Sequence, residues 1–193
     1  GMFGLVSVLA FGSTSLARTL LVVGMLPLGA MGAWRLVRPV GSRRARIASL
    51  LVFVANPLAY NALARGRWGA LVLCATAPWI LLQLAQASRV APYGPMGGPV
   101  GPGGGERPLL RHVAALGVLG AFVGFWVPAA PLIVVIMALA MAVGALAVGQ
   151  LAGAWRSLAA AIGGAVVAAV LLAPWAPTIL ARPGDAWWAA SLG

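Results

Sequence analysis

The sequence predicts an all-α, polytopic integral membrane helical bundle, and three observations carry that prediction. Of 193 residues, 62% are hydrophobic and only 8% charged, whereas a soluble globular domain is roughly 25% charged. Mean hydropathy is +1.01. The apolar residues gather into windows approaching the roughly 20 residues needed to cross about 30 Å of hydrocarbon, and no lysine, aspartate or glutamate interrupts them.

The charge pattern narrows the class of partner. Thirteen basic residues, all arginine, face two acids, Glu106 and Asp185, for a net charge of +11. On a soluble protein this excess points to nucleic acid, but here the arginines flank apolar segments and form no aromatic-basic surface. Nucleic acid is therefore excluded as a partner, and membrane lipids and membrane orientation explain the charge. Arginine without lysine, beside abundant alanine and glycine, matches the composition of GC-rich bacterial genomes. Cys74 is the single cysteine and His112 the single histidine. Neither an intrachain disulfide nor a thiolate metal site can form, and no metal site is expected.

Taken in order, Phe3 to Leu16 is apolar but short, and no positive region precedes it as a secretory leader requires. Its abrupt start fits a chain that is a piece of a longer protein. A helix capped by Ser15 then runs from Leu16 to Val37, kinked at Pro27. The stretch Arg35 to Arg46 follows with five arginines. By the positive-inside rule it is cytoplasmic in a bacterial plasma membrane, and every later loop alternates from it.

Ala45 to Asn61 forms the next span, cut near its far end by Asn56-Pro57, and Ala62 to Trp68 is an outer loop. Gly69 to Ala87 returns. Ser88 to Pro108 holds five prolines and seven glycines, too little apolar surface to offset the entropy of ordering it, so it is a flexible cytoplasmic linker or a proline-rich docking segment. Leu109 to Val127, Leu132 to Gly149 and Leu158 to Leu172 complete about six or seven spans. The division is thus 1–89 for the first membrane helices, 90–108 for the linker, and 109–193 for the later helices with an external Trp-rich tail.

Small residues at spacings of three and four, Gly117, Gly120 and Gly124, Gly144 and Ala147, and Gly163, Gly164 and Ala168, predict close helix approach. No charge lies at the centre of a span, which disfavours a proton relay or an ion-coupled transporter.

Arg65-Gly66-Arg67-Trp68 is the sharpest local feature. Two planar guanidinium forks separated by one glycine suit the phosphate of a lipid-linked substrate, with Asn56 and Tyr60, four apart, as neighbouring polar contacts. The plainer alternative is an interfacial anchor, with arginines reaching headgroups and Trp68, Trp187 and Trp188 in the aromatic belt. Asn56 and Tyr60 then serve only backbone groups around Pro57. Asp185 is a general acid-base group, or a ligand holding a divalent cation beside a phosphate, or the end of a Pro183-Gly184-Asp185 turn capping a helix. Glu106 reads as a solvated linker charge and His112 as a boundary residue.

The text Gly32-Ala33-Trp34-Arg35-Leu36-Val37-Arg38, then Arg46-Ile47-Ala48, Ala55-Asn56-Pro57-Leu58-Ala59-Tyr60-Asn61, Arg67-Trp68-Gly69 and Ala77-Pro78-Trp79 resembles the membrane region of actinobacterial arabinofuranosyltransferase-like enzymes of the GT-C glycosyltransferase superfamily. The likeness covers about a third of the chain. It implies transfer of a sugar from a polyprenyl-phosphate donor to a cell-envelope glycan. Members place an acidic catalytic residue in the first external loop, and this sequence has no acid before Glu106. A catalytic carboxylate is therefore expected outside this stretch, and a divalent cation only if the protein is catalytic. The alternatives are a scaffold subunit that holds protein partners, and a lipid or small-molecule transporter.

Overall fold

The computed structural model describes residues 14–90, 92–93, 106–127 and 129–175. Every regular element among them is helical: α1 Thr14–Val37, a 3-10 turn Arg38–Val40, α2 Arg43–Val54, α3 Pro57–Ala64, α4 Trp68–Ser88, α5 Glu106–Trp126, α6 Ala130–Ala147, α7 Leu151–Leu172 and a final 3-10 turn Ala173–Trp175. Five stretches among the described residues are long and apolar enough to cross a membrane: Arg43–Ala64, Trp68–Ser88, Leu109–Trp126, Ala130–Ala147 and Leu151–Leu172. The protein is a polytopic membrane helical bundle. The Phe3 segment up to residue 13, most of the Pro/Gly-rich linker, and the tail with Arg182, Asp185, Trp187 and Trp188 lie outside the described residues.

Local chemistry explains most of the boundaries. Pro27 sits inside α1 without ending it, and Pro78 does the same in α4. Ser42 caps α2, its Oγ accepting the Ala45 N–H at 3.4 Å, so Arg43 and Arg44 belong to a first helical turn and not to the loop. The span then breaks where expected. Asn56 Oδ1 accepts the Leu58 N–H at 3.0 Å and Pro57 takes the first helical position of α3, which needs no backbone donor. Three sequence expectations are corrected: Ser15 lies within α1 and is not its cap, α7 begins at Leu151 where the span was expected from Leu158, and Glu106 lies in α5 where a linker was expected. Pro108 is tolerated there because first-turn N–H groups have no intrahelical acceptor to lose.

The hub is α4. Half of its apolar window is buried, against 11% for the α2–α3 pair, because α4 packs against α1, α3, α5 and α7 while the α2–α3 pair lies at the periphery. One core joins Ile80 and Leu84 of α4, Leu116 of α5, Val134 and Ala138 of α6, and Ala160 and Ala161 of α7. Helices on both sides of the 90–108 segment therefore share a single interior.

Glycine makes the tight approaches. A Cβ at Gly117 would stand 2.4 Å from Val167, and one at Gly164 2.7 Å from the Leu116 Cβ, so α5 and α7 touch nearly backbone to backbone. Gly120, Gly124 and Gly163 line the same seam, as their spacing predicted. Gly144 meets nothing within 4 Å and Ala147 is exposed. Those two do not mark an interface among the described residues.

This packing sorts the arginines by end. Arg35, Arg38, Arg43, Arg44, Arg46, Arg89, Arg111 and Arg156 gather where α1, α4 and α6 finish and α2, α5 and α7 begin; Arg65 and Arg67 occupy the opposite end.

Candidate functional site

At the α3–α4 junction the Arg-Gly-Arg turn is a helix stop. Gly66 N–H donates to the Leu63 carbonyl at 3.1 Å and Arg67 N–H to the Ala62 carbonyl at 2.8 Å, while Gly66 adopts φ +66°. These two bonds define a Schellman closure, which needs a left-handed residue at the glycine. The glycine is thus explained by the turn. Its consequence for function is geometric: the turn sets two exposed arginines on either side of one residue, and neither guanidinium has a hydrogen-bond or ion-pair partner among the described residues.

The other expected contacts are less close. Asn56 spends its side-chain acceptor on the α3 cap, and it sits at the opposite end of that helix from Arg65, about 14 Å away at 1.5 Å per residue. Tyr60 is 48% exposed midway along α3. No hydrogen bond joins Asn56 to Tyr60. Trp68 begins α4 half-buried, its N–H donating to the Gly66 carbonyl at 3.1 Å. Among the described residues, no group of three or more His, Cys, Asp or Glu side chains could hold a metal ion.

A second polar site, which the sequence reading missed, lies at the other end of α4. A cavity of 540 Å³ is lined by Arg35, Arg38 and Pro39 from the end of α1 and its following turn, and by Trp79, Leu82, Gln83 and Gln86 of α4. Trp79 organises it. Its indole N–H donates to the Leu28 carbonyl at 3.0 Å, and the Arg35 guanidinium stacks over its ring at 5.2 Å from the centroid. His112 Nδ1 lies 2.7 Å from Gln83 Oε1; an amide oxygen can only accept, so Nδ1 carries the proton. Nearby, Arg46 reaches the Arg38 carbonyl at 3.5 Å and lies 5.7 Å from the Trp34 ring centroid, and Arg156 Nε donates to the Ala87 carbonyl at 3.2 Å. The Tyr93 hydroxyl donates to the Leu36 carbonyl, tying the chain after α4 back to the end of α1.

A signal for this cavity was present in the sequence. Trp79, Gln83 and Gln86 fall at i, i+4 and i+7 near the end of an otherwise apolar span, a polar stripe on one helix side.

Compared with family models, curated proteins and solved structures, the chain matches none. Its class, a polytopic helical membrane protein, rests on its own architecture.

Proposed function

We propose that this chain is part of a membrane glycosyltransferase that moves a sugar from a polyprenyl-phosphate donor to a cell-envelope glycan. One observation carries the reading: Arg65 and Arg67 are exposed, and unpartnered among the described residues, on a fixed turn at the end of a membrane span. That placement suits a phosphate held at the bilayer surface by an isoprenoid tail. In the transfer, the acceptor hydroxyl oxygen bonds to the sugar C1 as the C1–O bond to phosphate breaks. The polyprenyl phosphate leaves with the electron pair, and the two guanidinium groups stabilise the charge growing on it. A carboxylate must take the acceptor proton. An acid from outside this stretch fills that role, with Asp185 as the alternative, and a divalent cation only if catalysis occurs here. Tyr60, exposed on the same short helix, is a contact for the donor in this reading, and Trp68 anchors the turn.

This reading sets the Arg35–Arg46 end in the cytoplasm and the Arg65 turn outside, in a bacterial plasma membrane. In a Cys74→Ala background, an impermeant thiol reagent applied to intact cells is expected to label Ala64→Cys and spare Ser42→Cys, both exposed positions. The reverse pattern removes the external donor site.

Binding is the direct test. In detergent, the double variant Arg65→Ala/Arg67→Ala is expected to bind a polyprenyl-phosphate sugar at least tenfold more weakly, with thermal stability unchanged. Equal binding overturns the donor site. It favours the second reading, a scaffold subunit, which the thinly covered α2–α3 pair supports by leaving Leu51, Val52 and Leu58 open to a protein neighbour.

A further inference from the structure

The cavity between α1 and α4 lies at the opposite end of the bundle from the Arg65 turn. Along α4, Gln83 is about 22 Å from Trp68 at 1.5 Å per residue. It cannot share a ligand headgroup with the donor site, and it takes no part in the function proposed above.

Its chemistry is one-sided. Arg35 and Arg38 contribute two permanent positive charges, and neither guanidinium has an ion-pair partner among the described residues. Arg35 is held in place by its stack on Trp79, and Trp79 by the Leu28 carbonyl and by Gly32, where even a Cβ would come within 2.7 Å of the indole nitrogen. A preorganised arginine loses less freedom on binding than a free one. His112 occupies the Gln83 amide oxygen, leaving the amide N–H₂ of Gln83 as its available group, and Gln86 has no partner among the described residues. The site therefore presents donors and positive charge with one of its acceptors removed.

Size and surroundings agree with that polarity. A volume of 540 Å³ falls within the roughly 300–1,000 Å³ of small-molecule sites, room for a phosphate together with the small group that it esterifies. The rest of this end reinforces the field. Arg43, Arg44 and Arg46 stand in the first turn of α2, at the positive end of a helix dipole, with no acid in that turn.

We infer that this cavity binds a phosphate monoester, held by Arg35 and Arg38 with Gln83 and Gln86 as neutral donors and with Trp79 fixing Arg35. The same chemistry is offered by a lipid with a terminal phosphate and by a soluble organic phosphate. The cavity sits beside the arginine-rich end of the bundle, where either source can reach it.

The test uses the full chain in detergent micelles, with phosphatidic acid, phosphatidylcholine and glycerol 3-phosphate as probes. Retained lipid is read by native mass spectrometry, and the soluble probe by equilibrium dialysis. Arg35→Gln/Arg38→Gln is expected to weaken binding of phosphatidic acid or of glycerol 3-phosphate at least tenfold. Arg43→Gln/Arg44→Gln removes the same charge outside the cavity and is expected to change it less than threefold. Retention of phosphatidic acid that glycerol 3-phosphate does not displace assigns the site to lipid; displacement assigns it to a soluble phosphate. Equal losses in the two double variants would show charge attraction without a site and overturn the inference, as would binding of neither phosphate probe. Should the Arg35/Arg38 variant fail to fold, Arg38→Gln and Gln83→Leu each replace it, and at least a threefold loss is expected from either; no loss in both overturns the site.

Discussion

Gly32 and Trp79 are in direct contact: a methyl group added to Gly32 would stand 2.7 Å from the indole nitrogen and 3.1 Å from the Pro78 Cβ. The indole is wedged there while bonding the Leu28 carbonyl and carrying Arg35 on its ring. Gly32→Ala should therefore push Trp79 off α1 and cost about 1–3 kcal/mol, as overpacking does. Cys74 is the single thiol and is half-buried, so a thiol-reactive fluorophore reports unfolding. A Tm equal to that of the parent would show that the α1–α4 contact yields freely.

Two glycines in neighbouring helices give an internally controlled comparison. A Cβ at Gly164 would stand 2.7 Å from the Leu116 Cβ and 3.4 Å from the Gly117 backbone, atoms that cannot swing aside, whereas one at Gly144 would meet nothing within 4 Å among the described residues. Gly164→Ala is expected to destabilise by about 1–3 kcal/mol. Gly144→Ala should be neutral or gain up to about 1 kcal/mol from helix propensity. The same thermal assay reads both, and equal shifts would contradict the α5–α7 seam.

The contrast also shows what could be read from the sequence. Spacing alone found the Gly117, Gly120 and Gly124 seam, because small residues at three and four intervals share a helix side whatever lies opposite. It also singled out Gly144 and Ala147, which mark no interface among the described residues, since the pattern does not say whether a helix faces a neighbour or lipid. The Asn56-Pro57 break was legible because proline and a capping side chain act locally. Of the cavity, the Trp79, Gln83 and Gln86 stripe was legible on α4, but its closure by Arg35 was not. It depends on α1 lying across α4 at Gly32, a contact between residues far apart in sequence. Arg65 and Arg67 were legible as a pair, but the helix stop at Gly66 that sets them was not, because phosphate approach and helix termination ask the same freedom of glycine.

Asn56 offers a test of which role its side chain fills. As the α3 cap, its replacement by alanine should cost about 1 kcal/mol, and Asn56→Asp should restore that loss because a carboxylate also accepts the Leu58 N–H. As a sugar contact, it should lose donor affinity in both variants, since aspartate cannot donate. Stability and donor binding measured on the same two proteins separate the roles. Recovery of stability and binding together in Asn56→Asp would leave capping as the whole explanation.

Tyr93 links the chain beyond α4 to the cavity end of α1, its hydroxyl donating to the Leu36 carbonyl. Burial pushes this phenol above its ordinary value, because the phenolate loses hydration there and cannot donate the bond. The sign follows: a folded value raised above the unfolded one gives stability fully present below about pH 10 and lost as pH rises through the folded value. With two tyrosines in the chain, Tyr60→Phe leaves Tyr93 as the sole phenolate signal. Ultraviolet titration should then place its midpoint above that of free tyrosine, with a shared fall in Tm. Tyr93→Phe should abolish the alkaline loss and cost about 1 kcal/mol at neutral pH. A midpoint at or below that of free tyrosine would mean that the hydroxyl is in water and that the tie to Leu36 does not hold.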